Sequence, residues 1–95
     1  MVESNAGQVE AERREALNLA LENFGGQEEL TRRFGPDTCG VHEAMDRTWI
    51  AAEHVENYVL NSPTVVMDPD IYNKVHLAVA LLYEAYQDLG RLDEA

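Results

Sequence analysis

The tripeptide Asp68-Pro69-Asp70 marks a helix start more firmly than any other part of this chain. An aspartate there accepts from the first free backbone N–H groups. Proline suits the first helical position, and a second acid meets the positive end of the helix. From this start an apolar pattern at helical spacing runs to about Leu89, where Gly90 offers a left-handed stop. Ile71, Val75, Ala78, Leu82, Ala85, Tyr86 and Leu89 form its core stripe, with Leu77 and Leu81 on one shoulder and Tyr72, Val79 and Tyr83 on the other. A helix facing one neighbour needs an apolar stripe of only about 100°. This one is wider than half the circumference and calls for more than one partner.

The rest of the chain reads as helices separated by breakers. A helix from about 41 to 61 has Gly40 as its cap and Glu43 in its first turn, and Asn61-Ser62-Pro63 closes it. Ala44, Met45, Thr48, Ala51, Ala52, Val55 and Val59 share one of its faces. Thr64 to Met67 reads as a short extended connector. Upstream, Val9, Ala16, Leu17, Ala20 and Phe24 recur along one side of a helix from about 8 to 24, which Gly25-Gly26 ends. A short helix from about 27 to 34 runs up to the break at Gly35-Pro36, and residues 1 to 7 are expected to fray. No segment alternates with period two for long enough to make a strand. The expected fold is therefore all-α, one domain over 1–95: a small helical bundle built on an antiparallel hairpin (about 41–61 and 69–89), with the N-terminal helix packed across it.

Composition sets the function classes. Hydrophobic residues are 45% and charged residues 26% of the chain, the balance of a folded globule. Ninety-five residues bury only about 65% of their unfolded surface when they fold alone, so a second copy would add welcome burial. Eighteen acidic against seven basic side chains give a net charge of −11, which argues against direct nucleic-acid binding and for a partner protein with a basic surface. No apolar run reaches membrane-span length, the first residues lack the pattern of a secretory signal, and the single cysteine, Cys39, cannot form an internal disulfide. The expected location is the cytoplasm.

Several constellations carry possible chemistry. His42-Glu43-Ala44-Met45-Asp46 looks like a zinc-protease HExxH motif with aspartate in place of the second histidine, and Cys39 lies three residues upstream. No further ligand follows at a recognisable spacing, so the solvated face of an amphipathic helix, with Glu43 and Arg47 as an ion pair, is the simpler account. No metal or cofactor is expected. Arg13-Arg14 and Arg32-Arg33 are the basic doublets. They either pair with Glu10, Glu28 or Glu29 on their own helices or line an anion site, where Tyr72, Tyr83 or Trp49 would stack on a base. Trp49 and Ile50 fit the solvated face least well. A contact outside the hairpin and a satellite core under the N-terminal helix explain them equally.

The stretches 40–47, 61–63 and 82–90 together resemble small helical-hairpin proteins of bacteria and their phages. The resemblance implies the hairpin and attaches no activity to it. The leading expectation is a non-enzymatic acidic helical binding protein, an inhibitor or adaptor that docks on another macromolecule and self-associates. Its expected contact residues are Trp49, Ile50, Arg32, Arg33, Tyr72, Leu77, Leu81 and Tyr83. An oligomeric binder of a small anion or nucleotide, and a metal-dependent hydrolase built on His42, Glu43 and Asp46, are the alternatives.

Overall fold

The structure, a computed structural model, describes residues 6–93, and the frayed start expected for residues 1–5 lies outside them. Five α-helices and one π-helical segment account for nearly all of it: α1 (Ala6–Phe24), α2 (Gln27–Phe34), α3 (Cys39–His54) running on into the π-helical segment (Val55–Leu60), α4 (Pro63–Met67) and α5 (Pro69–Arg91). The all-α fold is as expected. The chain is a hairpin of α3 and α5, with α4 at its turn and α2 against the start of α3.

The best-formed helix start is the one the sequence marks. Asp68 Oδ1 accepts from the backbone N–H of both Asp70 and Ile71, each at 3.0 Å. Elsewhere the boundaries differ from expectation. Thr38, in extended conformation, is the N-cap of α3 in place of Gly40, and its hydroxyl donates backward to the Gly35 carbonyl at 2.6 Å. Gly40 has another task. A Cβ on it would sit 2.7 Å from the Arg33 carbonyl oxygen and from the Phe34 ring, so only glycine lets the end of α2 close on α3. Ala6 and Gly7 are helical rather than frayed. Thr64 to Met67 coil into α4 rather than extending, because Pro63 is pre-set for a first helical position and the Val66 N–H reaches the Ser62 carbonyl at 2.9 Å. Gly90 does not stop α5, since Leu92 keeps right-handed helical angles and its N–H donates to Leu89 O.

The π-helical segment changes which residues face inward. An α-helical repeat carries the stripe from Val55 to Val59, whereas the wider π turn brings in the residue after it. Leu60 is buried and Val59 exposed. Val41 and Ala52 complete the buried side of α3, and Ala51, expected inside, is exposed. On α5 the buried centre is Val79, expected on a shoulder, while Ile71, Ala78 and Ala85, expected in the core, face solvent. The helix is turned by about 70° from the position the apolar count suggests, at about 100° per residue. Trp49 supplies the reason: its ring packs against Tyr83 and Tyr86 at centroid distances of 5.2 Å and draws that flank of α5 toward α3.

The largest departure concerns α1. It does not cross the hairpin and touches α2 alone. Gly25 and Gly26, with φ of 89° and 105°, turn the chain sharply between them. Phe24 meets Phe34 edge to face at 4.9 Å. None of the α1 residues is buried, and the molecule measures 49 × 27 × 22 Å. Among the described residues only Val41, Ala52, Leu60 and Val79 are buried apolar side chains.

Candidate functional site

The hairpin has two unlike faces, which follow from counting about 100° per residue outward from the buried line through Ala52 and Val79. One flank of α3 carries His42, Asp46, Trp49 and Glu53, and the adjoining flank of α5 carries His76, Tyr83 and Gln87. The other flank carries Ala44, Ala51 and Val55 on α3, with Ile71, Ala78 and Ala85 on α5.

The first of these is an aromatic face edged with carboxylates. Trp49 lies at its centre, 41% exposed, with Tyr83 on one side and Tyr86 beneath. Within the chain Trp49 packs on the hairpin's own tyrosines and not under the N-terminal helix, and its outer side stays exposed. An open depression lies on each side of the Trp49–Tyr83 contact, one lined by His42, Asp46 and Trp49, the other by Glu56, Tyr72 and Tyr83. The Tyr83 hydroxyl donates to Glu56 Oε1 at 3.0 Å. That bond, burial and the nearby charges of Glu56 and Glu53 hold the Tyr83 pKa above its ordinary value of 10.0. Arg47 and Lys74 lie on the other side of the hairpin and Arg91 at its end beside Asp88, so among the described residues no Arg or Lys competes for Asp46, Glu53 or Glu56. Such an arrangement suits a cation: an aromatic ring offers its negative π-face and a carboxylate completes the charge.

The remaining sequence candidates are placed as follows. Arg32 and Arg33 both close on Glu29, and Arg13 and Arg14 both close on Glu10, so each doublet is engaged by a carboxylate on its own helix. Two arginines on one carboxylate hold Glu10 and Glu29 well below the usual glutamate range, at about 2. The structure does not bring the doublets near Tyr72, Tyr83 or Trp49: α1 and α2 have no contact with α5. Ile50 is 60% exposed on the back of α3, near His54 and Tyr58. Leu77 and Leu81 are 59% and 53% exposed on α5, on the side away from Tyr83. His42 Nε2 is 3.2 Å from Asp93 Oδ2, and the same carboxylate accepts from the Asp37 N–H through its other oxygen. Asp93 therefore ties the α2–α3 connection and the first turn of α3 to the end of α5. Cys39 is exposed, and no group of three His, Cys, Asp or Glu residues among the described residues is arranged to hold a metal. Glu43 pairs with Arg47 as the i, i+4 spacing suggests.

Glu53, Glu56 and Tyr86 complete the aromatic face; the spacing of apolar residues marks Tyr86 as core only and leaves the two glutamates without a site role. A carboxylate one helical turn beyond Trp49, at Glu53, is the signal that could have found it. No helix of the described residues is long and apolar enough to cross a membrane. Comparison with known protein families, curated proteins and solved structures finds no match for this chain.

Proposed function

We propose that this protein works by binding, as an acidic adaptor or inhibitor in the cytoplasm, and that its aromatic face receives a lysine- or arginine-rich segment of another protein. The observation that carries the reading is the Trp49, Tyr83 and Tyr86 cluster edged by Asp46, Glu53 and Glu56, with no Arg or Lys among the described residues on that face. A basic side chain laid over Trp49 gains a cation–π contact and a charge-assisted hydrogen bond together, and its aliphatic stem covers the exposed ring edge. The net charge of −11 adds long-range attraction that speeds encounter and weakens with salt. The engaged arginine doublets give the anion-binding alternative no comparable support.

Trp49 is the single tryptophan of the chain and so reports on its own face. A titration with a lysine- and arginine-rich peptide should change its fluorescence saturably, and the affinity should fall as salt rises. Trp49→Ala, checked by calorimetry, should weaken binding about three- to tenfold, the size of a partly exposed cation–π contact. Equal binding of an acidic peptide of the same length, or none of the basic one at low salt, would refute the reading.

A further inference from the structure

We infer that the hairpin's other face is the interface of a two-fold dimer of this chain. Ala51 and Val59 of the α3 side, with Ile71, Ala78, Leu81 and Ala85 of α5, form one exposed apolar surface that no other described residue covers. Half-buried Leu82 and Leu89 lie between them. Leu77 extends the surface on α5. The α1–α2 arm leaves the hairpin on this side, since Phe34 packs over Gly40, which points the same way as Ala44 and Ala51.

Surface area is consistent with a second copy as the occupant. The chain exposes 7436 Å², against about 5,500 Å² for a compact monomer of its 10.7 kDa, an excess of about 1,900 Å². The α1–α2 arm holds part of this excess, since no α1 residue is buried and α1 touches α2 alone; a standard interface removes about 800 Å² from each partner, so the excess leaves room for a second copy on the hairpin face. The interior agrees. No large side chain among the described residues is fully buried, whereas two hairpins packed face to face make four helices around a shared centre. Small residues at 44, 51, 78 and 85 let the helices approach closely, and Leu81 and Leu82 fill the space between them. Charge permits it too: Arg47 and Lys74 stand at the rim of this face, so two chains of −11 meet where carboxylates are fewest. The two aromatic faces then point outward in opposite directions, which makes the dimer bivalent. The pairing itself does not depend on what those faces bind, because the two surfaces are on opposite sides of the hairpin.

Light scattering after size exclusion at tens of micromolar should give twice the 10.7 kDa chain mass, and the melting temperature should rise with protein concentration. Leu81→Asp and Ala78→Glu each change a side chain already exposed in the single chain, so neither disturbs the hairpin's own interior. Both should shift the mass toward one chain, while Glu84→Gln leaves it at two. A wild-type mass of one chain overturns the inference whatever its shape. X-ray scattering then tells an open chain, near 16.4 Å in radius of gyration, from one whose α1 has folded over its own hairpin, near about 12 Å. A dimer that survives both substitutions overturns it equally.

Discussion

The hydroxyl of Tyr83 donates to Glu56 across the hairpin at 3.0 Å, joining the middle of α5 to the first turn of the π-helical segment. The bond closes one side of the aromatic face, and Trp49 packs against the same tyrosine ring about two turns nearer the α3 start. Register, aromatic packing and surface charge therefore meet at one residue.

Tyr83 should be the last tyrosine to ionise. Its proton is held by Glu56 first, then by burial and by the charges of Glu56 and Glu53. A group whose folded pKa is raised contributes stability that is complete below its unfolded pKa, near 10, and lost as pH rises through the folded value. Ultraviolet titration of the four tyrosines should show one lagging component, and Glu56→Gln should bring it back toward the others.

The π-helical step has a direct mutational signature. Leu60→Ala removes a buried side chain and should cost about 2–5 kcal/mol, whereas Val59→Ala at an exposed position should cost less than about 0.5 kcal/mol. Urea unfolding at fixed protein concentration measures both. Equal costs, or the reverse order, would mean that the α-helical repeat continues through residue 59.

Acid should break the ion pairs inside α1 and α2 only at low pH. Glu10 and Glu29 have folded pKa values of about 2 against 4.5 for the ordinary group, so their contribution is complete above about 4.5 and is lost as pH falls toward 2. Carboxyl carbon shifts followed by NMR should show these two glutamates titrating last among the acids of α1 and α2. Arg13→Gln with Arg14→Gln should return Glu10 to the ordinary range and leave Glu29 where it is.

Gly40 should tolerate no side chain larger than its hydrogen. Gly40→Val puts carbon atoms into the Arg33 carbonyl and the Phe34 ring, and overpacking of this kind costs about 1–3 kcal/mol. The strain should separate α2 from α3 while the α3–α5 contact persists. Hydrogen exchange would register this as lost protection in 27–34 alone.

Local signals in the chain were readable where backbone chemistry decides them. Asp68 caps α5, Gly25-Gly26 ends α1, and Glu10 and Glu29 gather the arginine doublets, all from contacts within a few residues. The orientation of α5 was not readable, because a count of apolar residues weights Ile71, Ala78 and Ala85 while the packing is decided by one large ring, Trp49, on the opposite flank. The π-helical step was hidden for a related reason: Val59 and Leu60 are adjacent and both apolar, so either repeat fits the letters. The direction of α1 depends on backbone angles at two glycines, which permit many directions and specify none. The aromatic face was half legible, in Trp49, Tyr72 and Tyr83. Its carboxylates read as ordinary solvated residues until the fold placed them around the rings.

The central claim, that the aromatic face receives a basic segment, is tested most directly by amide NMR of the uniformly ¹⁵N-labelled protein titrated with a lysine- and arginine-rich peptide. The account predicts that shifts concentrate at Asp46, Trp49 and its indole N–H, Glu53, Glu56 and Tyr83, with Ala51, Ala78 and Leu81 unmoved. Shifts centred on Ala51, Ala78 and Leu81, or a spectrum unchanged at millimolar peptide and low salt, would contradict it.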